Sequence, residues 1–325
     1  MDQRFNSLRD YGVRAAANNP DANQLPKGIS DEALAEGIAR SGYPVQGLVA
    51  EKLLSAFRVS EEWGFRDPES GDHRALDLHA WLIEEPPEGI KVQPLFYLLV
   101  ECKRSDKPYV FFKAVTDRAP QELRLDGIGG EVSLRDPSGR GFVETPFARL
   151  FGIEDDPWFS RDIPIATSFA VAHPKGKNSV QLSGDEAYNN LVLPLCKALE
   201  YARGRAPRGD RKEYLFPCLH IPIAVIDAAM LLVEDPRKPE DPVLVPRLRV
   251  LRHEATDSRD SWARDRTYQI EIVHVDYVEE FIRELLSLQS AVSSASLRCE
   301  AILRAGGAIV PDLDHWTAGD AKPKS

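Results

Sequence analysis

The chain has 325 residues, 43% hydrophobic and 28% charged, with a formal net charge of −10. That balance supports a sizeable core and excludes a disordered chain. The negative charge argues against a surface coated in basic residues for non-specific nucleic-acid binding, though not against a local basic cleft. Four scattered cysteines (Cys102, Cys196, Cys218, Cys299) form no CxxC pair. This excludes a zinc knuckle and fits reduced thiols in a cytoplasmic protein. The stretch Met1–Arg14 lacks an apolar core, so no signal peptide is expected, and no apolar run reaches the length of a membrane span.

Residues 1–28 are polar and read as a loosely attached arm. Ser30 before Asp31 and Glu32 predicts a helix that ends at Gly42, and Pro44 opens a second helix to about Phe57. Val45, Leu48, Val49, Leu53, Ala56 and Phe57 form its apolar stripe, with Glu51 at the edge. Two strands follow, Val59–Phe65 and His73–Ile83, around a loop of turn residues. In the second, Leu76, Leu78, Ala80 and Leu82 share one face, while Asp77 shares the other with His79 and Trp81. A carboxylate flanked by leucines needs a partner, because burying it unpaired is costly. Arg74 or a metal ion could supply one.

The third strand, residues 94–103, runs Phe96-Tyr97-Leu98-Leu99-Val100 into Glu101-Cys102-Lys103. Such an apolar run reads as a strand buried on both faces, and period two puts Glu101 and Lys103 on the same side. Tyr109–Phe112 continues the sheet. Residues 114–184, rich in Gly and Pro, read as an inserted irregular subdomain with a hairpin, 131–134 against 142–144. A helix over about 185–203, strands over 213–227, 229–234, 244–251 and 268–275, and a helix over 276–292 complete the core. Residues 312–325 read as a frayed tail. The order predicts an α/β protein, a mixed β-sheet flanked by helices, with 29–113 and 185–311 as the two parts of one core.

Adjacent strands lie about 4.8 Å apart, so Asp77 and Glu101 could share one hard cation. Magnesium, bound through oxygen at about 2.0–2.1 Å, suits these carboxylates with the Cys102 carbonyl as a further ligand. Lys103 would orient an attacking water and offset phosphate charge, and Glu51 would hold a second metal or a water. This set of groups suits metal-assisted phosphodiester hydrolysis. Arg104, Lys107 and Lys113 follow the site directly and are candidate contacts to substrate phosphates. The basic run Arg203–Lys212 reads equally as a phosphate track or a solvated loop. Arg247, Arg249, Arg252, Arg259, Arg264 and Arg266, interleaved with acids, read as mixed surface charge.

A helix glutamate (Glu51), a strand aspartate (Asp77) and a strand ending in Glu101-x-Lys103 together resemble the PD-(D/E)XK phosphodiesterase superfamily. Arg74-Ala75-Leu76-Asp77 is similar to members with a basic residue before the aspartate, although Leu76 stands where many carry proline. The resemblance implies a restriction-endonuclease-like fold and a Mg2+-dependent nuclease, with Mn2+ as an alternative metal. It implies catalytic Glu51, Asp77, Glu101 and Lys103, metal ligands Asp77, Glu101 and Cys102, and substrate contacts at Arg74, Arg104, Lys107 and Lys113. DNA is expected in preference to RNA, with a homodimer of the chain as one possibility and no membrane partner. The alternative is a non-catalytic module that binds nucleic acid or protein, its acids tied up in salt bridges such as Asp77 with Lys103 or Arg74.

Overall fold

The computed structural model describes residues 13–85, 88–114, 123–128, 132–138, 142–144, 146–177, 179–207, 213–235, 237–253, 267–312 and 317–324. Helix α1 (Asp31–Arg40) starts where the Ser30 hydroxyl accepts the Ala33 N–H at 3.2 Å, satisfying one of the free donors of the first turn. It ends at Ser41, and Gly42 instead precedes α2 (Tyr43–Leu53), which carries proline in its first turn. This second helix stops short of Phe57 and buries Val45, Gln46, Val49, Ala50 and Leu53. Strands β1 (Arg58–Arg66), β2 (His73–Ile83) and β3 (Leu95–Arg104) form an antiparallel meander, and β4 (Tyr109–Lys113) follows after Ser105–Pro108.

The stretch read as an irregular insertion contains β5 (Leu125–Asp126), the hairpin β6 (Ser133–Arg135) and β7 (Phe142–Glu144), α3 (Phe147–Phe151), β8 (Ile165–Pro174) and β9 (Val180–Ser183). Here the structure corrects the sequence reading. Strand β8 is a full member of the main sheet, pairing with β4, and its alanines and serine had concealed it. The next helical run is α4 (Gly184–Ala187), one π turn over Tyr188–Val192, and α5 (Leu193–Gly204). Pro194 has no N–H to give, and the turn before it widens so that the Leu193 N–H reaches the Tyr188 carbonyl.

The remaining elements are β10 (Cys218–Asp227), β11 (Met230–Val233), β12 (Val243–Leu244), β13 (Arg247–His253), β14 (Thr267–His274), α6 (Val278–Arg298), α7 (Glu300–Ala305), β15 (Gly307–Ile309) and β16 (Lys322–Pro323). The last of these, β16, lies in the stretch read as a frayed tail. Strand β16 pairs with β15, and Lys324 Nζ donates to Ser133 Oγ at 2.5 Å, in a second sheet ordered β16-β15-β6-β7.

The main sheet runs β1-β2-β3-β10-β14-β13-β8-β4-β11-β12, with β5 beside β10 and β9 beside β8. Strand β3 continues into β4, and β10 into β11 after Ala228-Ala229; each pair stays parallel, β3 with β10 and β4 with β11. The path from β10 through β14, β13 and β8 therefore returns to the continuation of β3. Pro222 is tolerated in the central strand β10 because that edge is held by β5 only up to Leu219 and by β14 only from Ile223. Two apolar cores cover the sheet. One joins Leu78, Ala80, Leu98, Val100 and Cys102 to α2 and α6, and the other joins Leu99, Ala224 and Ile226 to α5.

A second correction concerns charge. Arg247 and Arg249 lie inside the protein on β13 and flank Glu271 on β14, which is 1% exposed. Glu271 accepts from Arg247 Nη2 at 2.8 Å, Arg249 Nε at 2.8 Å and Gln269 Nε2 at 3.0 Å. Both guanidiniums also cover the ring of the fully buried Trp158, at 4.5 and 5.3 Å from its centre. Arg252 lies over the Tyr188 ring, while Arg259, Arg264 and Arg266 fall outside the described residues.

Candidate active site

Core membership shows where β1 and β2 break their alternation. Leu78 and Ala80 pack in the core under α2, yet Leu76 packs in the opposite core with Phe65 and, at its margin, Trp63. Leu76 therefore does not share a face with Leu78, contrary to the strict period-two reading. The break falls at Asp77 and at Glu62, which stand opposite each other in register and are the one position where the β1–β2 ladder makes no pair between Glu61↔Leu78 and Trp63↔Leu76. Glu62 has a left-handed backbone, φ 50°, unusual for a residue with a Cβ. That twist lets both strands exchange faces together.

Strand β2 leaves β3 at the same place. Their ladder runs from Ile83↔Leu95 to Leu78↔Val100 and goes no further. Beyond it the Cys102 N–H donates to Asp77 Oδ2 at 2.6 Å, so the aspartate side chain takes the place of a strand partner. One residue back, Glu101 is 6% exposed and on the face opposite Val100 and Cys102. Its Oε1 accepts from Lys103 Nζ at 2.5 Å, while its Oε2 is buried with no hydrogen-bond partner among the described residues. From the other side, the buried Gln46 of α2 donates through Nε2 to the Asp77 carbonyl and to Glu62 Oε1, both at 3.1 Å.

The electrostatics follow from this burial. Desolvation raises the Glu101 carboxyl to about 7; the Asp77 charge adds to the rise, while Lys103 and the nearby Asp77 backbone N–H oppose it. Burial also raises Asp77, helped by the Glu62 charge and opposed by the Cys102 N–H and by Lys103. The Cys102 thiol is pushed well up by burial, so the residue's available donor is its carbonyl oxygen. His79 lies stacked between Trp63 (4.5 Å) and Tyr97 (5.6 Å), and burial lowers it to about 4, which keeps it neutral at physiological pH.

A stability prediction follows for Glu101. Its pKa in the fold, about 7, lies above the ordinary 4.5, so the folded chain holds this proton more tightly than the unfolded one. Its contribution is complete below pH 4.5 and is lost as pH rises through about 7, on the order of 3 kcal/mol in all. Urea unfolding in EDTA should show Glu101→Gln losing that decline. Parallel pH profiles for the variant and the parent protein would refute it.

Asp77, Glu101, Lys103 and Cys102 are thus brought together, and Glu51 is not. Glu51 lies exposed on α2, and the side chain this helix sends to the site is Gln46, which sequence reasoning missed. The sign was available: Gln46 occupies a buried stripe with Val49, Ala50 and Leu53 at helical spacing. Glu62 carried no such sign. Arg74 pairs with Asp67 at 2.7 Å and so does not serve Asp77. Arg104 is bound to the Ala39 carbonyl and to Asp227, and Lys107 lies 4.0 Å from Glu186. Lys113 is exposed at the end of β4. In the basic loop, Arg203 pairs with Asp126 and Arg205 lies over Tyr201.

Among the described residues no three His, Cys, Asp or Glu side chains already surround one point as a metal centre. No described helix is long and apolar enough to cross a membrane. No protein family, curated protein or solved structure was found to match the chain.

Proposed function

We propose that the protein is a restriction-endonuclease-like nuclease that hydrolyses phosphodiester bonds in DNA with Mg2+ or Mn2+. The observation that carries this reading is the buried, unpartnered Oε2 of Glu101 beside Asp77, at the point where β2 and β3 separate. Evicting a carboxylate oxygen from water without a hydrogen bond is costly, and a cation would remove the penalty. Two carboxylates and the Cys102 carbonyl form an all-oxygen donor set, which fits magnesium. The order of elements supports the same reading. Helix α2 and the meander β1–β2–β3 are followed, after the intervening stretch from β4 to α4, by the helix α5 and β10 parallel to β3, an αβββαβ unit with the acids at its centre once that stretch is set aside.

When bound, the cation would supply Lewis acidity to the scissile phosphate and lower the pKa of a water. Asp77 and Glu101 would hold it, with the aspartate fixed by the Cys102 N–H. Lys103 Nζ, held by Glu101, is partly exposed and positioned to orient a water or to meet developing negative charge on phosphate. One observation favours a second reading, a non-catalytic binding module: Glu101 already has an ion pair with Lys103. Incubation with plasmid, linear and single-stranded DNA in Mg2+ separates the two. Cleavage abolished by EDTA supports the nuclease, and intact substrates in every case support the module.

A further inference from the structure

We propose that Glu62 is the third carboxylate of this site and that Gln46 is its positioning residue, a role that rests on the nuclease reading above. Three features place the pair. Glu62 stands opposite Asp77 in register, at the unpaired position where the two strands exchange faces. Its carboxylate lies near enough for its charge to act on Asp77. The Gln46 amide, buried at 5% exposure, bonds to Glu62 Oε1 and to the Asp77 carbonyl, so one side chain of α2 locks both acidic residues to the helix.

What points to a ligand is the independent orphan at the same opening, the buried Glu101 Oε2 without a partner. A cation drawn there by Glu101 and Asp77 would have one more oxygen donor at hand. Glu62 is exposed, so its carboxylate can pivot about the oxygen held by Gln46 and turn the other toward an ion without disturbing a core. Glu51, which faces solvent from the same helix, cannot join it without turning α2. The left-handed backbone at Glu62 fits this role, since such conformations in residues with a Cβ persist where surrounding structure enforces them.

The test is Mn2+ binding by the full chain, measured by titration calorimetry and by the loss of the free-ion paramagnetic resonance signal. The parent protein is expected to bind, and Glu62→Gln to weaken binding by about tenfold to a hundredfold. Gln46→Ala should weaken it about tenfold, with thermal unfolding in EDTA reported alongside to confirm that both variants fold. Glu61→Gln, its exposed neighbour, should bind as the parent does. If Asp77→Asn abolishes binding while Glu62→Gln binds like the parent, the role of Glu62 is overturned and the nuclease reading stands. If the parent itself binds no Mn2+, the nuclease reading falls and this inference with it.

Discussion

Asp77→Asn is expected to reduce magnesium-dependent DNA cleavage by two to three orders of magnitude while the chain stays folded. Asparagine keeps an oxygen that can accept the Cys102 N–H, so the local bond between β2 and β3 survives. What it loses is the negative charge beside Glu101. A ligand whose charge holds a catalytic cation contributes several kcal/mol in the transition state, and ~3–4 kcal/mol corresponds to a 100- to 1000-fold loss of rate. Lys103→Ala should also lower the rate, and its effect should persist at saturating Mg2+, because the ammonium acts on water or phosphate and not on metal affinity. Steady-state cleavage of a labelled duplex checks both. Full activity in either variant would remove that residue from the site.

The largest expected loss of stability lies elsewhere, at Glu271. Its carboxylate is enclosed by Arg247, Arg249 and Gln269, and the two guanidiniums hold it below the ordinary carboxylate range against the opposing effect of burial. Glu271→Ala would leave two buried cations without their shared anion, and breaking a buried ion network this way costs about 3–5 kcal/mol. Replacing Arg247, Glu271 and Arg249 together with apolar residues of similar size should cost less, because the buried acid leaves with both its guanidiniums and only the partly exposed Glu284, which also pairs with Arg247, loses a cation. Urea denaturation of the two variants distinguishes them. Equal stability for Glu271→Ala and the parent would mean that the network contributes nothing.

These two regions show what a linear reading can reach. The nearness of Glu101 and Lys103 was legible because a strand places alternate residues on one side, and that of Asp77 because it sits on the neighbouring strand. Glu51 misled because helix periodicity marks an edge residue without saying which way the edge faces. Gln46, five positions earlier and about 140° away around the helix, points to the site instead, and a neutral amide draws less notice than a carboxylate. The exchange of faces at Glu62 and Asp77 could not be read, since a left-handed backbone at glutamate has no signature in residue type. Strand β8 was missed because Ala166, Ser168, Ala170 and Ala172 are weak strand formers, and its place comes from β4 and β13 on either side. Arg247 and Arg249 read as surface charge because the acid that buries them is on another strand. In each miss the deciding contact was non-local.

The claim that the separation of β2 from β3 forms a cation site can be tested directly by diffraction. A crystal soaked in Mn2+ should show an anomalous peak within coordinating distance of Asp77 and Glu101, about 2.0–2.3 Å from their oxygens. It should be absent in Asp77→Asn. A parent crystal with no anomalous peak between those carboxylates at millimolar Mn2+ would contradict the account.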